Sequence, residues 1–225
     1  YWYVFLIVSI FGTFGSILMF FVYMQPKFRK LSVSTYFCAM SVSNLVININ
    51  AILQFLDNYF DINLFDKSEF TCKSLHFVIF LAGPLTAWFL VAAGIDRYLS
   101  IFYPGLFAII KKPRFSLAAV LAILTLNIAI YFHLFLNLYL SKPLRQSSQM
   151  SHAYCDGNLG TKFSIIDLFN STVLPFILMI GTSVVTVNGI VKSRHRMRKS
   201  FNLEAQRRIQ LRDIKYGVTV IVLNM

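Results

Sequence analysis

From Trp88 to Phe102 the chain is almost wholly apolar, yet Asp96, Arg97 and Tyr98 stand side by side near the end of this stretch, just ahead of Tyr103-Pro104. Ionised side chains on an apolar helix of membrane length are expensive, so such a cluster marks a functional site by default. The Arg97 guanidinium is permanently charged and carries five donors. Within a membrane interface it needs acidic or carbonyl partners. Neighbouring helical residues point about 100° apart, so Asp96 can restrain Arg97 without filling its fork. The plain alternative is an arginine snorkelling at a helix end. A second isolated acid, Asp167, lies two turns before Pro175 in another apolar run. A carboxylate there must be wet or paired; it is either a contact for a cationic ligand group or a hydrated acid near the headgroups. No nucleophile–base pair, metal-ligand cluster or phosphate-binding loop stands out, which argues against an enzyme and against a cofactor or metal.

The elements that position these groups follow from composition. The chain is 57% hydrophobic and 13% charged, whereas soluble domains carry about a quarter charged residues. A membrane protein is expected. The net charge of +12 would ordinarily raise nucleic acid as a partner, but the cations are parcelled between apolar runs, as they are when facing anionic lipid. Nucleic acid is excluded on that ground.

A bilayer is crossed by about 20 apolar residues. The pattern predicts one domain over residues 1–225, all-α, with helices at about 1–24, 36–56, 74–102, 115–140, 163–191 and 204–225. The apolar part of the last opens at Gly217 and stops at Met225, and Tyr1 begins inside an apolar run, so both ends read as truncated. Segments after the first, third and fifth spans are basic, the last densely so from Lys192 to Lys215; the segment after the second carries Asp57, Asp61, Asp66 and Glu69. Positive-inside bias puts the N-terminus outside and Arg97 at the cytoplasmic face. Cys72 and Cys155 then both lie outside, where a disulfide can form, while Cys38 reads as a packed small hydrophobe. Residues Ser141 to Lys162 have the composition of an exposed loop.

Cys72 and Arg97 are 25 residues apart, about 37 Å of helix, enough to place one at each surface of a bilayer. With this spacing the chain resembles the rhodopsin-like (class A) G-protein-coupled receptors, and within them receptors for neuropeptides of the invertebrate kind. In that family a cysteine begins the third helix and Asp-Arg-Tyr ends it. Ser43-Asn44-Leu45 stands where the family has an aspartate-bearing motif, Cys155 matches the cysteine of the second extracellular loop, Leu174-Pro175-Phe176 matches the proline of the fifth helix, and Arg212-Asp213-Ile214-Lys215 matches the start of the sixth. The chain departs from the pattern at Ser16 (usually Asn), Asn44 (usually Asp), Ser183 (commonly Tyr) and in a fourth helix without its Trp. The motifs of the later sixth and the seventh helix lie beyond Met225.

The resemblance implies a seven-transmembrane bundle, here five helices and the start of a sixth, in the plasma membrane with its N-terminus extracellular. It implies a Cys72–Cys155 disulfide, a latch between Arg97 and Asp213, and a heterotrimeric G protein docking at Asp96, Arg97, Tyr98 and the basic stretch, which also suits lipid headgroups. His76, Ile79, Phe80 and Gly83, with Ala87 and Leu90, share the inward face of the third helix at i, i+3, i+4 spacing. Amine-binding members have an aspartate at the position of Ile79, so a monoamine is disfavoured and a peptide, a lipid or another small molecule remains, a peptide foremost, with Asp167 as a further contact. Gly83 equally suits plain helix packing. Asn44 and Thr86 match positions of a buried sodium site; with Asn for Asp the anion is missing, and a polar packing cluster with Ser41, Ser43 and Asn48 is the default. Pro175 removes one helical donor, with Ser171 and Thr172 placed to compensate, and Pro84 predicts a kink in the third helix. The alternatives are a multi-span transporter or channel fragment, which should carry ionisable residues at mid-depth in several spans, and a receptor-like chain that does not signal.

Overall fold

The structure is a computed structural model that describes residues 2–29, 31–60, 68–103, 105, 112–141, 154–157 and 161–198. Its elements are α1 (Trp2–Met24), α2 (Ser32–Phe60), α3 (Glu69–Phe102), α4 (Pro113–Asn137), β1 (Leu138–Ser141), β2 (Tyr154–Gly157) and α5. The rod α5 consists of Thr161–Leu168, a π-helical turn Phe169–Val173, and Leu174–Arg198. All five helices are long and apolar enough to cross a membrane. The expected sixth helix, with Asp213, lies outside the described residues.

Local chemistry accounts for where the helices start. At α3, the Ser68 side chain accepts the backbone N–H of Thr71 at 3.1 Å, an N-cap, and Glu69 pairs with Lys73 one turn on at 2.7 Å. Pro113 opens α4 at a position where its missing N–H is harmless. The helix α2 begins at Ser32, a turn ahead of its apolar run, because that turn is buried and its hydroxyls find partners. Ser32 donates to Asp96 of α3 at 2.8 Å, and Ser34 donates to the Tyr23 carbonyl of α1 at 2.7 Å. The helix α3 continues through the buried Pro84.

Successive helices run antiparallel. Tyr3 at the start of α1 meets Phe55 and Tyr59 near the end of α2, at ring separations of 6.0 and 6.2 Å, while Ser32 at the start of α2 meets Asp96 near the end of α3. The bundle therefore has a Cys72 end and an Arg97 end. At the Cys72 end α4 passes directly into β1, which pairs antiparallel with β2, Leu140 opposite Cys155. Here the helical span stops at Asn137, short of its apolar run, because the strand ladder supplies partners for the backbone beyond it. The strand β1 takes the last residues of that run, and β2, four residues inside a polar loop, carries too little pattern to be read from composition.

Packing is inverted relative to a water-soluble protein. Buried positions include Ser9, Ser16, Ser41, Ser43, Ser116, Asn127 and Thr186, while Phe11, Phe14, Leu126 and Leu136 are each at least 65% exposed. In lipid the apolar face needs no cover, and small or polar residues gather where helices meet. Two apolar clusters sit between the helices. Tyr131, Leu134, Leu138 and Phe163 lie at the Cys72 end, with Phe77 and Phe80 of α3 against them; Tyr36, Phe37 and Ala93 lie at the Arg97 end.

Between α1 and α2 the contact is set by Gly12, where a Cβ would meet the Asn48 amide oxygen at 2.6 Å. Gly12→Leu should force the two helices apart and destabilise the bundle by about 1–3 kcal/mol, as overpacking of a close contact does. A melting temperature equal to that of the unsubstituted protein, measured in detergent, would refute this.

Candidate functional site

At the Arg97 end, Asp96 is 3% exposed and its Oδ1 accepts the Ser32 hydroxyl at 2.8 Å. Its Oδ2 is buried with no hydrogen-bond partner among the described residues. Asp96 therefore turns toward α2. Arg97, one residue on, is half-buried, and among the described residues the ion pair is Lys73–Glu69, so Arg97 enters none there. The Tyr98 ring packs on Phe102 at 4.9 Å and on Tyr103 at 6.1 Å. With Asp96 bonded to Ser32 and Arg97 in no ion pair among the described residues, the guanidinium keeps donors for a further partner.

Midway along the bundle, Thr86 of α3 donates to the Asn44 side-chain oxygen of α2 at 3.1 Å and also lies 3.2 Å from the Ala82 carbonyl. Two residues 42 apart in sequence thus meet through an amide and a hydroxyl, with no formal charge between them. Ser41 and Ser43 turn back on α2, bonding the carbonyls of Cys38 and Ala39.

At the other end Cys72 is completely buried in the first turn of α3, and β2, which carries Cys155, packs against the same helix. His76 Nδ1 lies 3.0 Å from the Cys72 carbonyl oxygen. Ile79 is half-buried. Phe80 packs edge-on against Phe163 of α5 at 5.9 Å, which places it in the seam between helices. A Cβ on Gly83 would meet nothing within 4 Å among the described residues. Asp167 is paired: its Oδ1 accepts the Tyr131 hydroxyl of α4 at 2.6 Å.

Residues 15–224 match the family model described as 7 transmembrane receptor (rhodopsin family). The chain belongs to this family. A comparison with curated proteins finds no match. The protein is accordingly a multi-pass membrane receptor of the G-protein-coupled class, in a family of signalling receptors and not of enzymes.

The receptor also holds a polar seam that the sequence reading passed over. Asn170, in the π turn of α5, donates from Nδ2 to Asn127 Oδ1 at 3.0 Å and lies 3.4 Å from the Tyr131 hydroxyl. Its own Oδ1 and its main-chain carbonyl both face the indole N–H of Trp88 on α3, each at 3.1 Å. The carbonyl has no backbone donor available. Leu174 N–H goes to Phe169, and Pro175, next in line, has no N–H. Trp88 fills that vacancy. Ser171, expected to compensate for the proline, instead bonds the Asp167 carbonyl at 2.6 Å. A signal was present: Asn127 and Tyr131 are spaced i, i+4 and Asp167 and Asn170 i, i+3, each pair on one helix face. Ser32 was missed because it precedes the apolar run.

Ser32→Ala should leave both Asp96 oxygens without a hydroxyl donor and lower stability by about 1.5–3 kcal/mol, the range for a hydrogen bond to a charged group. Ser32→Thr should restore most of it. Equal thermal unfolding midpoints for all three proteins in detergent would show that the bond contributes nothing.

Proposed function

We propose that this receptor sits in the plasma membrane with its N-terminus outside, binds an extracellular peptide at its Cys72 end, and passes the signal to a heterotrimeric G protein at its Arg97 end. The observation that carries the reading is the bond of Asp96 to Ser32, beside a guanidinium in no ion pair among the described residues. In the resting state that guanidinium pairs with Asp213 of the sixth helix. Ligand binding favours a state with the sixth helix displaced, and the G protein captures that state at Arg97, with Tyr98 beside it. Each partner shifts the population by its preference for one conformation.

The ligand site lies between the outer halves of the helices, against His76, Ile79, Phe80 and Gly83. A peptide cation approaches Asp167 and competes with Tyr131 for its carboxylate. A Cys72–Cys155 disulfide roofs the site; it is supported by the complete burial of Cys72, by the packing of β2 on α3, and by Cys38 being the free thiol among the described side chains. Sodium does not regulate this receptor, because Asn44 and Thr86 offer oxygens but no anion to balance the ion.

In the full-length receptor, Asp213→Asn should raise basal nucleotide exchange by a purified G protein several-fold, and Arg97→Ala should abolish exchange. Unchanged basal exchange in Asp213→Asn would remove the latch; no exchange under any condition would favour a receptor-like protein that does not signal. Replacing sodium by choline should leave basal exchange unaltered, while Asn44→Asp should make it fall in sodium. Sodium sensitivity in the unsubstituted receptor would contradict this account of the polar core.

A further inference from the structure

We infer that Tyr131 is a positioning residue that fits Asp167 to a compact ammonium group, a lysine side chain or an N-terminal amine, and against the forked guanidinium of an arginine. The inference deepens the ligand reading above and rests on Asp167 being the contact for a peptide cation. An ionised carboxylate offers two acceptor oxygens. Arginine recognises it best through two parallel N–H···O bonds, one to each oxygen, whereas lysine brings a point charge on a flexible stem and needs only one. Which cation suits a given carboxylate therefore depends on what already holds its oxygens.

At Asp167 one oxygen is held. Oδ1 accepts the Tyr131 hydroxyl at 2.6 Å, the length of a charge-assisted O–H···O bond. Tyr131 has no exposed surface, and its ring stands edge-on to Phe163 at 6.2 Å, so the phenol has no water to turn to if it is displaced. Its oxygen is engaged from behind as well, 3.4 Å from Asn170 Nδ2, while Asn170 Oδ1 accepts the Trp88 indole N–H at 3.1 Å. Donation runs one way, from indole to amide to phenol to carboxylate. The chain begins at a group that can only donate and ends at one that can only accept, and each bond polarises the next. Ser171, one turn on, donates to the Asp167 main-chain carbonyl and leaves the carboxylate alone. Asp167 is half-buried, and among the described residues its carboxylate enters no ion pair. An arriving cation competes with Tyr131 for the charge while the phenol keeps Oδ1, turned into the seam between α4 and α5. Oδ2 is what remains. An ammonium is served by that single oxygen; a guanidinium there leaves half its fork unpaired in an apolar span, which is costly.

The test uses the full-length receptor in lipid nanodiscs, labelled with carbon-13 at the aspartate carboxyls, with the Asp167 signal identified as the one missing from Asp167→Asn. Ethylammonium and ethylguanidinium carry the two head groups on the same short tail, and each is titrated while that signal is followed. Ethylammonium should reach its half-maximal shift at a several-fold lower concentration. Tyr131→Phe keeps the ring and frees Oδ1; it should reverse the order, a result that a merely structural role for the phenol would not produce. The preference in the unsubstituted receptor is read whether or not Tyr131→Phe folds. Equal concentrations for the two cations, ethylguanidinium acting first, or an order unchanged in a folded Tyr131→Phe overturns the inference alone. A signal that neither cation moves overturns the cation reading of Asp167 together with it, and leaves the Asp213 test of signalling untouched.

Discussion

A polar group inside a bilayer has no water to fall back on, and the architecture of this receptor follows from that. Each unsatisfied donor or acceptor in hydrocarbon is costly, so the helices are arranged to supply one another's missing partners. The Asn170 carbonyl shows the constraint most clearly. Proline removes one donor, the π turn redirects another, and the indole of a different helix closes the gap. The contact fixes how α3 and α5 lie together at mid-depth, and through them where the ends of both helices come.

The same constraint explains the inverted packing. Several serines, Asn127 and Thr186 are buried at the seams while Phe11, Phe14, Leu126 and Leu136 face outward, because outside is apolar. It also explains why Asp96 is not simply the counter-ion of Arg97. Buried at 3% exposure, the carboxylate takes the nearest strong donor that geometry allows, and that donor is a hydroxyl on α2. Neighbours on a helix already point about 100° apart, so the acid is bound inward while Arg97, half-buried, enters no ion pair among the described residues.

Much of the fold was legible from hydropathy, because twenty or so apolar residues can do little other than cross a membrane. The family resemblance rested on Cys72, Asp96-Arg97-Tyr98 and Pro175, and the family match over residues 15–224 agrees with it. The seam of Trp88, Asn127, Tyr131 and Asn170 was not read, although every member is polar or carries a polar tip. Taken singly, each has a bland explanation within its own helix. Their meaning comes from meeting across three helices separated by 82 and 43 residues of chain. Asp167 shows the same difficulty from the other side: an acid judged either hydrated or ligand-facing is bonded to a tyrosine that nothing in its own segment announced.

The linear chain by itself determined that this is a bundle of membrane-crossing helices, where the charges fall between them, and which residues stand at the ends of the third. Those properties are local, set by runs of apolar side chains and by the residues that interrupt them. Only the tertiary structure decided which polar groups satisfy which, that α5 carries a π turn ahead of its proline, and that Gly189 lies beneath Phe102. A hydrogen bond between helices depends on their relative rotation and depth, and both are set by the packing of the whole bundle, which no segment encodes alone.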